Sequence, residues 1–178
     1  MKKLTPFLLV VIALGTITFL SCRKSAFNTN LTVKLTDAQG PYDSVKVEIV
    51  KVQAHYSDNA GKGWEDLNTI AGVYDLLLLT NNITTTLVDG GKIPAGKITQ
   101  LRMILGATNY IIKSGTRYDL EINSEDKTGI KTQINTRFNS SNTYEITLDF
   151  DANQSIVETG SGKFQLKPVI KVKEVKEL

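Results

Sequence analysis

Beyond residue 30, apolar and polar residues alternate with a period of two along almost the whole chain, the signature of strands that bury one face. Leu31, Val33 and Leu35 alternate with Thr32, Lys34 and Thr36, and the segment Asp37 to Pro41 closes that run. From Val45 to Tyr56 the period persists but its phase changes: Val45, Val47 and Ile49 stand on odd positions, then Val50, Val52, Ala54 and Tyr56 on even ones. One extra residue near Ile49 and Val50 would keep both halves facing the same core, so the pattern predicts a β-bulge or bend there. Ser57 to Gly63 is a turn cluster, followed by Trp64 and Leu67. Val73 to Leu79 lacks alternation and fits either a strand buried on both faces or a short helical turn.

Asn81-Asn82 ends that run, Ile83 to Val88 begins another, and Gly90-Gly91 with Pro94-Ala95-Gly96 signals a loop. Leu101, Met103 and Leu105 then share one strand face, with Gln100 and Arg102 on the other. Tyr110 to Ile112 and the alternating Tyr118, Leu120 and Ile122 flank Ser114-Gly115, a hairpin signal. Ile130, Thr132 and Ile134 make a less regular strand, and Tyr144, Ile146, Leu148 and Phe150 alternate cleanly with Glu145, Thr147, Asp149 and Asp151. A closing strand carries Phe164, Leu166, Ile170 and Val172. About eight or nine short strands without an amphipathic helix predict an all-β fold, an antiparallel β-sandwich or barrel.

The first 21 residues break this pattern. Lys2 and Lys3 precede a mostly apolar stretch from Phe7 to Leu20, and Ser21 is a small residue before Cys22. This is the layout of a removable signal peptide; an uncleaved anchor is the competing reading, for which the stretch is marginal against the ~20 residues a membrane-spanning helix needs. Cys22 is the only cysteine, so it has no partner in the chain, and a free thiol is an oxidation liability outside the cell. Phe19-Leu20-Ser21-Cys22 resembles the lipobox of bacterial lipoproteins, in the loose form found in Bacteroidota. That resemblance implies lipidation of Cys22 and a tether to a membrane through acyl chains, each stabilised by about 0.8 kcal/mol per buried CH₂. Arg23 stands where Asp would signal inner-membrane retention, so by analogy the expected address is the outer membrane. An acidic export run is absent from Arg23 to Asn30, which leaves the leaflet open. The expected organisation is a signal peptide over 1–21, a lipidated tether over 22–30 and one β domain over 31–178.

Removing 21 residues from 178 leaves 157, enough for one core without disulfide or metal support. Without Lys2 and Lys3, the 21 basic residues become 19 against 18 acidic ones. The chain is then near neutral, and its basic residues form no stripe with interleaved aromatics, which excludes the electrostatic footprint of a nucleic-acid binder. The Lys-rich end from Lys167 to Lys176 reads as a solvated strand face.

Candidate chemistry is sparse. His55 is the only histidine, so any nucleophile–histidine arrangement would have to use it; it falls on the face with Lys51 and Gln53, away from the core, and reads as surface filler over general base, while a His/Cys zinc site lacks the ligands. Asp149, Asp151 and Asn153 have the D-x-D-x-N start of a calcium loop, with Asp37 and Asp43 as further ligands should the loops meet. Gln154 replaces the loop's Gly and Gly160 its closing Glu, and the same alternation places carboxylates on the solvent face of a strand. Glu65-Asp66 and Glu125-Asp126 are adjacent pairs, which point to opposite faces of a strand and do not make a glycosidase couple. Trp64, Tyr56, Tyr74 and Tyr110 are candidates for stacking on sugar rings, with core packing as the competing role. Asp43-Ser44-Val45 resembles a short bacterial O-glycosylation motif.

Several stretches together resemble one family. They are Leu35-Thr36-Asp37-Ala38 with Tyr42-Asp43, Trp64 followed by Asp75-Leu76-Leu77, and Ile93-Pro94-Ala95-Gly96 leading to Gln100-Leu101-Arg102. Gly129-Ile130-Lys131, Leu148-Asp149-Phe150-Asp151-Ala152 with Ser155-Ile156-Val157, and Leu166-Lys167-Pro168-Val169-Ile170 follow in order. The chain is similar over roughly residues 31–172 to the domain of unknown function 4382 family. The resemblance implies an immunoglobulin-like or transthyretin-like sandwich, also described as carbohydrate-binding-like, with no catalytic residues and no cofactor.

The expected function is that of a non-enzymatic, lipid-anchored module of the cell envelope that binds a glycan or an envelope protein. A structural component that assembles by pairing an exposed edge strand is the alternative. Lysines on the final strand argue against free edge pairing.

Overall fold

A computed structural model describes residues 28–57, 63–160 and 162–178. The signal peptide and Cys22 lie outside these residues. In chain order the strands are β1 (Asn28–Thr36), β2 (Ser44–Tyr56), β3 (Trp64–Asp66), β4 (Gly72–Asp75), β5 (Thr85–Pro94), β6 (Gly96–Leu105), β7 (Tyr110–Lys113), β8 (Thr116–Ile122), β9 (Ile130–Phe138), β10 (Thr143–Phe150), β11 (Ile156–Glu158), β12 (Phe164–Leu166) and β13 (Ile170–Glu177). The 3₁₀ turns Leu76–Leu79 and Asp126–Thr128 and a single helical turn, Ala152–Ser155, interrupt them.

The strands form two sheets around one hydrophobic core. The smaller sheet has the order β13-β10-β1-β5, and the larger runs β11-β12-β8-β7-β2-β6-β9 with β3 and β4 also paired to β2. Inward residues of β1 and β10, such as Leu31, Val33, Leu35, Ile146 and Leu148, meet Val45, Val47, Val52 and Leu101 from the larger sheet. Two corners join the sheets. Thr69 bridges Val88 of β5, and the Thr132 hydroxyl of β9 donates to Ile170 O of β13 at 3.3 Å.

The phase change in β2 is a bulge at the predicted place. Ile49 pairs with Leu105 and Lys51 with Ile104, so Val50 is the extra residue; it is exposed while both flanking halves stay buried. The predicted hairpin is β7–β8, and its turn residues Ser114 and Gly115 have φ of 51° and 73°, the doubly left-handed geometry that matches strand twist. The run from Val73 is a strand and then the short helical turn, β4 followed by the 3₁₀ turn, but β4 exposes Val73 and is not buried on both faces as expected. Asp75 caps that turn by accepting from Leu77 N and ties it to β2 by accepting from the Ser44 hydroxyl at 2.9 Å.

Four expectations need correction. The sheets are mixed and not wholly antiparallel: β1 runs parallel to β10, and β12 parallel to β8. Parallel neighbours need a long connection between them, and alternation along one strand carries no information about partner direction. Among the described residues there are thirteen strands against the expected eight or nine, because β3, β4, β11 and β12 have only three or four residues and show no full alternation. The closing strand is two strands in different sheets. Lys167 N and Val169 N donate to Ser155 O and Oγ, and Pro168 between them has no N–H to continue a ladder, so the chain crosses from β12 to β13. Finally, residues 28–30 are not tether. They open β1, pairing with Pro94, Ile93 and Lys92, with the buried Thr29 hydroxyl donating to Asn142 O at 2.7 Å.

Candidate functional site

The densest arrangement of solvent-facing chemistry lies on the outer face of four strands in the order β3-β2-β6-β9. Cross-strand register aligns Asp66, Gln53, Arg102 and Lys131 in one row and Trp64, His55, Gln100 and Gln133 in the next. The rows exist because β2, β6 and β9 bury alternate residues such as Val52, Ala54, Leu101, Met103 and Thr132, which turns the intervening polar residues outward.

The first row is a chain of hydrogen bonds. Lys51 Nζ donates to Asp66 Oδ2 at 2.7 Å, Gln53 Nε2 donates to Asp66 Oδ1 at 2.6 Å, and Arg102 Nε donates to Gln53 Oε1 at 2.7 Å. The Lys51 and Gln53 hydrogen bonds hold the Asp66 carboxyl below the usual carboxylate range. Held by Gln53, the Arg102 guanidinium lies over the Trp64 indole with its carbon 4.3 Å from the ring centroid, and Lys131 Nζ is 6.0 Å from the same ring. His55 meets Trp64 edge-on at 5.2 Å, and its Nδ1 is 2.9 Å from the Thr99 hydroxyl. Gly129, at φ +104°, leaves the space Arg102 needs, since a Cβ there would sit 2.7 Å from Arg102 Cγ.

Trp64 is the only tryptophan, so intrinsic fluorescence reports on this face alone. Replacing Arg102 with Ala is expected to remove a cation–π contact of about 0.5–1 kcal/mol and to raise acrylamide quenching of Trp64 while the fold stays intact. Unchanged quenching would show that the guanidinium does not cover the ring in solution.

The four proposed stacking aromatics do not share a platform. Tyr56 is 3% exposed within the core, where burial and the nearby Glu65 carboxylate raise its phenol well above the ordinary value. Tyr74 pairs with buried Val47, is packed against the core, and its hydroxyl donates to Ile70 O. Tyr110, at the other end of β2, lies under Arg117 at 3.9 Å. Trp64 likewise lies under an arginine; what distinguishes it is the hydrogen-bonded row of Asp66, Gln53 and Arg102 beside it. Alternation indicated that Gln100 and Arg102 face outward, but which strands lie beside them depends on register, and Gln53, Arg102 and Lys131 went unread as a unit for that reason.

The calcium candidates do not converge. Among the described residues no group of three or more His, Cys, Asp or Glu side chains is placed to hold a metal. Asp151 is occupied as the cap of the helical turn, accepting from Gln154 N at 2.9 Å, and Asn153 is exposed. Asp43 accepts from Gly115 N in the hairpin turn. Asp37 is 6% exposed and accepts from Ala152 N at 2.8 Å. Burial, with smaller contributions from Asp149 and Asp151, raises its pKa from 3.8 to about 6 against the pull of the Ala152 and Ala38 amides. Thus Leu35-Thr36-Asp37-Ala38 and Asp151-Ala152, far apart in sequence, meet to close the end of the β1–β10 pair.

A cleft of about 550 Å³ opens where β6 ends and β8 diverges, lined by Leu105, Ala107, Leu120 and Ile122 with Glu121 and Lys127. Its buried polar side chain, Asn109, is already committed to Glu48 N and Gly106 O, so few convergent donors remain there.

The molecule is therefore a two-sheet β protein whose exposed chemistry gathers on one polar sheet face. The family described as Domain of unknown function (DUF4382) matches residues 28–168, and the chain belongs to that family. No curated protein and no solved structure was found to match it.

Proposed function

We propose that this protein is a non-enzymatic glycan-binding module of the bacterial cell envelope, held by lipid on Cys22 and built as a carbohydrate-binding-like, immunoglobulin- or transthyretin-like sandwich. The observation that carries the reading is the Trp64 face. An indole stands beside planar amide and guanidinium groups fixed in a hydrogen-bonded row. Pyranose rings offer apolar C–H faces to an aromatic ring and hydroxyls to such planar donors and acceptors, and the row is paid for on the surface, where the core gains nothing from it.

The tether fits this placement. Five residues separate Cys22 from Asn28, a reach of at most about 20 Å, so a lipid on Cys22 keeps the Asn28 end of β1 beside the bilayer with the β5–β6 turn. Edge pairing, the alternative, meets obstacles at two of the four edge strands: β13 carries Lys171, Lys173 and Lys176, and β9 is interrupted at Asn135, with φ of 48°.

The test is glycan-array binding by the chain carrying Cys22→Ala, which is expected to leave the membrane fraction and to bind at least one glycan saturably, with binding lost in Trp64→Ala. A chain that binds no glycan, or binds equally well without the indole, would remove this reading.

A further inference from the structure

Resting on the glycan reading, we infer that the ligand is an acidic glycan, a uronate-bearing polysaccharide whose carboxylates are held by Arg102 and Lys131 beside Trp64. The β6–β9 pairing carries a defect. Arg102 stands directly opposite Lys131. Like charges directly opposite each other across a strand pair destabilise it. These two strands carry no acidic residue, although the chain as a whole is nearly balanced in charge.

The one carboxylate in the two rows, Asp66, attracts Arg102 but is shared with Lys51, so one negative charge stands against Lys51, Arg102 and Lys131 and the excess is reduced without being cancelled. Arg102 spends Nε on Gln53, and no hydrogen bond within the described residues engages its terminal amino groups. A guanidinium oriented by a fixed acceptor and stacked on an indole is preorganised for a planar carboxylate, which it can hold through two parallel hydrogen bonds. Lys131, exposed on the neighbouring strand, adds a point charge 6.0 Å from the same ring. A neutral sugar would use the indole but leave the repulsion standing, whereas a uronate relieves it.

The experiment takes the full chain in detergent and titrates it, by Trp64 fluorescence, with oligomers of galacturonate, glucuronate and mannuronate. Each is matched by its carboxyl-reduced neutral counterpart, and polyaspartate serves as an anion without sugar. The expected result is saturable binding of at least one uronate oligomer, weakened about tenfold or more by carboxyl reduction or by Lys131→Gln, and weakened further by salt. Without any ligand, Lys131→Gln should raise the melting temperature by about 1–3 °C, because it removes a repulsion. Equal binding of acidic and neutral oligomers, equal binding of polyaspartate, or a melting temperature lowered by Lys131→Gln would overturn the acidic-ligand inference and leave the glycan reading standing. Binding to no sugar, here or on the array, would overturn both.

Discussion

Replacing Phe138 with Ala is expected to lower the stability of the fold by about 4 kcal/mol, the usual cost of emptying a phenylalanine site in a packed core. Phe138 is the last residue of β9 and 1% exposed. Its ring meets Tyr144 of β10 edge-on at 4.7 Å, and the Tyr144 hydroxyl accepts from Asn139 N at 3.1 Å. The pair therefore fastens the larger sheet to the smaller one where the Asn139–Asn142 loop passes between them. Gly96 stands opposite Phe138 and has no side chain with which to fill the space left by Ala. Urea denaturation followed by Trp64 fluorescence measures the loss. Tyr144→Phe keeps the ring pair and removes one hydrogen bond, so it should cost only about 1 kcal/mol. If both variants cost the same small amount, the ring contact does not carry this junction.

The second large effect is a dependence on pH. Asp37 is buried with one oxygen on Ala152 N, and its other oxygen meets no protein partner among the described residues. A carboxyl whose pKa rises from 3.8 to about 6 on folding binds protons more tightly in the folded state. Stability from this group is therefore fully present below pH 3.8 and is lost as pH rises through about 6, by about 3 kcal/mol in all. Asp37→Asn keeps an oxygen acceptor for Ala152 N and cannot ionise. The stability of this variant minus that of the parent should then grow as pH is raised from 4 to 7.5, a comparison in which the other carboxylates cancel. A flat difference would mean that Asp37 is solvated in the folded protein.

These two sites also mark where reading from sequence succeeds and where it stops. Alternation in β10 identified Tyr144, Ile146, Leu148 and Phe150 as the core face, and all four are buried. The phase shift placed the bulge in β2 to within one residue, since an uncompensated slip would have turned half of that strand's apolar side chains to water. The Asp37 contact was beyond reach: its partner lies 115 positions away, and a short acidic segment before a glycine reads as a solvated turn. The same holds for the aromatics. Tyr56 ends an alternating run and was legible as core, yet that an arginine lies over each of Trp64 and Tyr110 is a property of register.

Side-chain periodicity is a local quantity, set by the pleat of each strand, so the sequence alone determined that this is an all-β chain, where its bulge and hairpin fall, and which residues of its long strands turn inward. Pairing is not local. The choice of neighbour, its direction and its offset come from the total burial and hydrogen bonding of all strands at once. Only the tertiary structure decided that β1 and β10 run parallel, that the final stretch divides between two sheets, and that Arg102 and Lys131 come to stand side by side next to Trp64.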